Sequence, residues 1–304
     1  MIRPKRLGHA TFETPDLERQ IDYYTNTIGL VLVEKEKERA FFATKIGQLV
    51  VQVDKGPRAR ATALSFDVGP NADFDAMKKA LAGHGIKSEI RNDVVPGTPA
   101  MLSFTDPKGT RIELFKDWTF LCRHAQVLGV GPLKLGHFAF EVEDPQAIAG
   151  FYEKVMGFKV SDWIEDFFVF MRCGPDHHTC NFIRGSHGRM HHMAFELKDM
   201  AHMQDSCELF GQKKIPIIWG PLRHGPGHNV ATYHRDPDDQ VIEFFFELDV
   251  MKDEEAGYFE PRPWHHDQPQ RPKVWSRRFD GTTIWGPPPT PEFHRGREDA
   301  GPKN

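Results

Sequence analysis

The chain has 304 residues, 39% hydrophobic and 27% charged, the balance of a globular protein with material for one large core or two modest ones. A formal net charge of −4, with no Lys/Arg cluster interleaved with aromatics, gives no footprint for nucleic acid. No apolar run approaches the roughly 18 residues that would span a bilayer, and the N-terminus lacks the apolar stretch of a secretory signal. A cytoplasmic protein is expected, its four cysteines reduced.

The elements read in chain order repeat themselves. "LGHATFETPDLERQIDYYTNTIGL" from Leu7 matches "LGHFAFEVEDPQAIAGFYEKVMGF" from Leu135 at a constant offset of 128 residues. In the first copy a short alternating run, Leu7 to Glu13, predicts a strand, and the amphipathic stretch Asp16 to Thr27, ending at Gly29, predicts a helix. Three β-rich runs come next, "RAFFATK", "QLVVQV" and "ATALSFDV". A second helix is expected near Asp73 to His84, then the turn Asp106-Pro107 leading into a closing strand with Glu113. The stretch from about Phe120 to Gly131 links the copies. The second copy repeats the order: helix Asp144 to Val155 ending at Gly157, then "FFVFMRC", "HTCNFI" and "HHMAFEL", a helix at Asp199 to Phe210, and Asp236-Pro237 before Glu243. Strand, helix, strands, helix, strand, taken twice, predicts an α+β protein of two similar domains, 1–120 and 131–250. Beyond Val250, in a tail spanning 251–304, proline is too frequent for regular structure. Trp264, Trp275 and Trp285 suggest that the tail lies partly against the body, with a disordered tip after about Pro291.

Comparing the copies isolates what differs. Both carry histidine on the first strand, His9 and His137, and glutamate on the last, Glu113 and Glu243. In "HHMAFE" the second copy has His191 and His192 where the first has Thr62 and Ala63. Successive strand residues face opposite sides, so only one of the two histidines is expected to face a shared pocket, and periodicity does not choose between them. Two imidazoles and a carboxylate with open positions opposite make the facial triad suited to non-haem Fe(II). A cation would also explain why Glu243 sits in the greasy run "VIEFFFEL", since an unpaired buried carboxylate is costly.

The repeated unit resembles the βαβββ module of the vicinal oxygen chelate superfamily, the fold of glyoxalase-type proteins. The second copy is similar to the catalytic half of type I extradiol ring-cleavage dioxygenases. Their closing motif is a histidine, a tyrosine nine residues on, Asp-Pro, and a ligand glutamate ten residues after the tyrosine. Here it reads His224, Tyr233, Asp236-Pro237 and Glu243, with two departures: Asp239 where glycine is common and Thr232 where an apolar residue is common. The resemblance implies His137, His192 and Glu243 as metal ligands. It implies an active-site histidine some fourteen residues before the second ligand; His178 and His177 compete for that place, and the residues after His178 fit better. His224 and Tyr233 complete the catalytic set, while His228 and His234 read as surface or loop residues.

The activity that the resemblance implies is extradiol cleavage of a small aromatic diol by dioxygen at Fe(II), with Mn(II) also compatible. A homo-oligomer, with no nucleic-acid or membrane partner, is expected. Trp219, Pro221 and Leu222 suit an apolar catechol, and Arg223 is either a carboxylate anchor or an exposed arginine. The tail either covers the pocket mouth or forms an oligomer contact. The alternative is a glyoxalase-like metal-dependent lyase or isomerase, which would want a further ligand from the first copy. A non-catalytic binding module would dispense with the triad altogether.

Overall fold

The computed structural model describes residues 2–185, 188–260, 270–278 and 282–295. In the first copy, β1 (Arg6–Thr14) leads through α1 (Leu17–Tyr23) and a π-helical turn (Tyr24–Ile28) into β2 (Val31–Lys35), β3 (Arg39–Ala43) and β4 (Leu49–Lys55). The same order recurs at once: β5 (Arg60–Asp67), α2 (Phe74–Gly83), β6 (Ser88–Val95), β7 (Thr98–Thr105) and β8 (Arg111–Phe115). The second copy repeats it with β9 (Lys134–Val142), α3 (Pro145–Met156), β10 (Lys159–Ile164), β11 (Phe168–Arg172) and β12 (Cys180–Arg184). Then come β13 (Arg189–Glu196), α4 (Met200–Lys213), β14 (Trp219–His224), β15 (Val230–Arg235) and β16 (Val241–Phe246).

Each copy therefore holds the strand–helix–three-strand unit twice, where the sequence pattern predicts a helix and a single closing strand for its second half. In the first copy the strands that escape the pattern, β7 and β6, lie next to and at the sheet edge. The order is β2-β3-β4-β1-β5-β8-β7-β6 in the first copy and β10-β11-β12-β9-β13-β16-β15-β14 in the second, where the tail adds one further strand at each end. Strand β6, "SEIRNDVV", is mostly exposed, so no apolar face marks it. The helices start where expected: the Asp16, Asp73, Asp144 and Asp199 side chains each accept a backbone N–H of the first turn, satisfying groups the helix leaves unpaired.

The tail departs from its expected irregularity. Strand β17 (Lys273–Trp275) pairs with β10, β18 (Thr283–Trp285) pairs with β14, and Pro291–His294 form one helical turn, α5. Trp264 and the residues beyond Arg295 lie outside the described residues.

Alternation sorts the second sheet. Phe138 and Phe140 of β9 and Ile242, Phe244 and Phe246 of β16 enter a core that runs through both copies, with Phe12 stacked on Phe138 at 6.1 Å. The intervening residues, among them His137 and Glu243, take the opposite face. The repeated tyrosine and Asp-Pro motifs serve the joint between copies. Tyr152 of α3 donates to Asp106 at 2.8 Å, and Gln20 of α1 donates to Asp236 at 3.1 Å. His234, expected on the surface, is instead fully buried and meets the Tyr23 hydroxyl at 2.7 Å. Asp239 has φ +66° and its counterpart Gly109 φ +85°, a left-handed turn position that explains why glycine suits it.

Candidate metal centre and its cavity

Three neighbouring strands bring together His137 from β9, His192 from β13 and Glu243 from β16. One donor atom from each lies within 4.8 Å of the others, and all three side chains are buried. Glu243 Oε2 stands 3.1 Å from His137 Nε2 and 3.2 Å from His192 Nε2. Asn229 donates to Glu243 Oε1 at 3.0 Å, fixing the carboxylate from behind. Gly136, beside His137, leaves room for the Phe245 ring: a Cβ there would lie 2.4 Å from that ring, which packs on His137 at 4.9 Å between centroids. Burial raises the Glu243 carboxyl, but the flanking His137 and His192 outweigh it and hold the group at about 2.

The donor set fits a divalent cation. Among the described residues the buried His137 Nδ1 has no hydrogen-bond partner while its Nε2 faces the carboxylate, so the ring is held by packing with one nitrogen aimed at the convergence point. His192 Nδ1 lies 2.7 Å from His191 Nδ1. With the proton of that contact on His192 Nδ1 and His191 Nδ1 accepting, His192 Nε2 is bare for a metal, the arrangement that support behind a ligating histidine gives.

The alternation of a regular strand would turn His191 away from His192. A bulge between Met190 and His192 inserts an extra residue opposite β9, and such an insertion re-aims side chains locally. Both histidines consequently line one cavity.

That cavity, about 370 Å³, has Glu243, His137 and His192 as its polar floor and Ile164, Phe167, Phe168, Phe170 and Ile183 among its walls. His178 lines it from the loop before β12, whereas His177 does not. The His137 and His178 rings meet edge-on at 4.2 Å. Burial first, then the neighbouring histidines, hold the His178 imidazole well below its ordinary pKa, so it is neutral at pH 7. On the far wall His224 Nε2 and the Tyr233 hydroxyl are 2.8 Å apart. Burial lowers His224 to about 4 against the opposing pull of Glu243. Trp219 stacks on Tyr233 at 5.1 Å. The tail closes the mouth with Pro288, Pro289, Phe293 and His294, Phe293 lying edge-on to Tyr233 at 5.2 Å.

Two other expectations change. His228 is buried and bonds Asp249 at 2.6 Å. Arg223 is buried too, donating to the His228 carbonyl and to Glu247, and among the described residues it does not line the cavity. Arg277 does line it, 3.8 Å above the Phe167 ring. Sequence reasoning weighs His191 but expects only one histidine of the pair in the pocket, and it misses Asn229, Arg277 and Phe293. Asn229 comes directly after His228 within the closing motif, but Arg277 and Phe293 carry no signal without the fold.

This duplicated fold with a buried His/His/Glu cluster has a family. Residues 6–114 and 134–244 match the family model of the Glyoxalase/Bleomycin resistance protein/Dioxygenase superfamily, and the chain belongs to it. Among curated relatives, the 3-methylcatechol 2,3-dioxygenase of Pseudomonas putida is 25% identical over 90% of this chain and 98% of its own length. A manganese-dependent 2,3-dihydroxybiphenyl 1,2-dioxygenase of Geobacillus genomosp. 3 is 21% identical over 89% of this chain and 93% of its own. Among solved structures, the Mn(II)-bound glyoxalase from Novosphingobium aromaticivorans superposes with a TM-score of 0.83 at 23% identity, covering 96% of this chain and 94% of that one. That last likeness bears on the fold alone. No described helix is long and apolar enough to cross a membrane.

Proposed function

We propose that this chain is an extradiol dioxygenase: it opens the ring of an aromatic diol beside its two hydroxyls, placing both atoms of dioxygen in the product. The observation that carries this reading is the convergence of His137, His192 and Glu243 at the floor of a cavity of about 370 Å³ with aromatic walls. The full-length similarity to catechol and biphenyl-diol dioxygenases supports it.

In this reading His137, His192 and Glu243 hold Fe(II), the ion this facial set suits best, with Mn(II) also compatible. When bound there, the ion would supply Lewis acidity toward the substrate oxygens. The remaining chemistry belongs to the chain. His178, neutral and at the cavity wall, accepts a proton from a diol hydroxyl and returns it when the O–O bond breaks. The Tyr233–His224 pair offers a fixed hydrogen bond to substrate oxygen from the opposite side. Phe293, Pro288 and Pro289 exclude water from the cavity mouth. The aromatic walls, with Arg223 engaged elsewhere and Arg277 stacked on the Phe167 ring, favour a diol bearing an apolar substituent.

The test is an assay under controlled oxygen. Protein purified anaerobically and loaded with Fe(II) should convert 3-methylcatechol and 2,3-dihydroxybiphenyl to yellow ring-opened products, consuming one dioxygen per diol. Silence across a catechol panel, with turnover of a thiol–ketoaldehyde adduct instead, would replace this reading by a glyoxalase-like one. Against that alternative, the first copy's Glu113 is held by Arg91 and Arg111 and is not set up as a further ligand.

A further inference from the structure

The loop that supplies His178 contains a second buried histidine with no part in the proposed ring cleavage. His177 Nδ1 lies 2.9 Å from His178 Nδ1, and His177 Nε2 lies 3.1 Å from Asp162 Oδ2. Asp162 is itself buried on β10 and receives two further donors from the tail: the Lys273 backbone N–H at 2.9 Å and the Trp275 indole N–H at 2.6 Å. Gly227 covers the two rings. A Cβ there would sit 3.1 Å from His177 Nδ1 and 3.2 Å from His178 Cε1, at a φ of +75°.

Hydrogen-bond accounting fixes where the protons are. A carboxylate only accepts, so the proton on the Asp162–His177 contact belongs to His177 Nε2. If His177 carries that proton alone, its Nδ1 is bare. Two imidazole nitrogens at 2.9 Å must share one proton, and with His177 Nδ1 bare that proton is carried by His178 Nδ1. The consequence reaches the cavity: His178 is left with an unprotonated Nε2, the form that can take a proton.

We infer that Asp162 and His177 are positioning residues that set the tautomer of His178 and so make it a base, and that strand β17 of the tail anchors this relay. The inference rests on the ring-cleavage reading for what the base acts upon; the tautomer itself does not depend on it. In Asp162→Ala the acceptor behind His177 Nε2 is removed, and the carboxylate no longer keeps the His177 proton on that nitrogen.

Nitrogen-15 NMR of histidine-labelled full chain loaded with diamagnetic zinc tests this directly. The expected wild-type spectrum has His178 protonated at Nδ1 and bare at Nε2, with His177 the reverse. Asp162→Ala should abolish the single pattern, His178 then carrying its proton on either nitrogen, and lower kcat of the Fe(II) enzyme by about 10–100-fold, with KM and metal content within about twofold of wild type. A wild-type His178 protonated at Nε2 would overturn the relay. So would an Asp162→Ala chain that keeps the wild-type tautomers, whether its kcat falls or not. Should that variant fail to fold, the wild-type spectrum decides alone. Wild-type protein with the expected tautomers but no ring cleavage of any diol would sink the functional reading and leave the relay standing.

Discussion

The two copies place a histidine and a glutamate on corresponding strands, and do opposite things with them. In the second copy, Glu243 faces two imidazoles and a cavity of about 370 Å³. In the first, the Ser65 hydroxyl occupies the middle of the set, donating to Glu113 at 2.7 Å and meeting His9 at 2.9 Å. Glu113 is further bound by Arg91 at 3.0 Å and Arg111 at 2.8 Å, and the space beside His9 is about 10 Å³. Ser65 pairs with Glu113 in the register where Ala194 pairs with Glu243. One small side chain in place of another, together with histidine for Ala63 two residues earlier, separates a filled, internally neutralised site from one left open for a cation. The difference teaches that buried negative charge alone does not mark a metal centre; what matters is which cations the fold has already supplied.

Predictions that would break this contrast run from large to small. Glu243→Gln should abolish turnover and lower metal affinity by more than about 100-fold, since even partners behind a ligand are worth 10–100-fold. Glu113→Gln should leave metal content unchanged; metal analysis of both purified variants checks this, and loss of metal from the latter would end the distinction. His178→Ala should keep its metal while kcat falls by about 10²–10⁴-fold, the usual worth of a general base. Steady-state kinetics alongside metal analysis separates the two effects. Acid should cost the second copy more, since burial lowers His178, His224 and His234 there and His9 in the first. Burial first holds His9 at about 4 and His224 at about 4, below the ordinary 6.5, so in each the folded state carries the neutral ring. Their contribution is full above pH 6.5 and is lost as pH falls toward 4, by about 2 kcal/mol per histidine at pH 5. Urea midpoints of the metal-free chain at pH 7.5 and 5 measure the loss. Ser65→Ala, which strips His9 and Glu113 of their shared hydroxyl, should lower stability by roughly 1–3 kcal/mol and leave kcat untouched.

Legibility in the sequence depends on what each residue needs in order to act. His137, Glu243, His224 and Tyr233 are readable because they sit at fixed spacing within repeated strands, where period two carries side-chain direction faithfully. His191 escapes that rule because a bulge breaks the period, and nothing in "HHMAFE" announces the extra residue. The edge strand β6 is invisible because an exposed strand has no need of an apolar face. His234 and His228 look solvated, as polar rings in a closing motif do, whereas Tyr23 and Asp249 supply their partners from far along the chain. Asp162 and Trp275 lie 113 residues apart, and only folding shows that they meet.

Strands β17 and β18 occupy the two opposite ends of the ten-stranded sheet, so the same short stretch of chain hems both rims. Unpaired rims are templates on which a second molecule can add its own strand, a common route to aggregation. Clipping the protein after the globular body would therefore bare two sticky borders at once, as well as uncovering the aromatic pocket. Solubility and substrate enclosure are tied to one segment, and a protease cut there would damage both together.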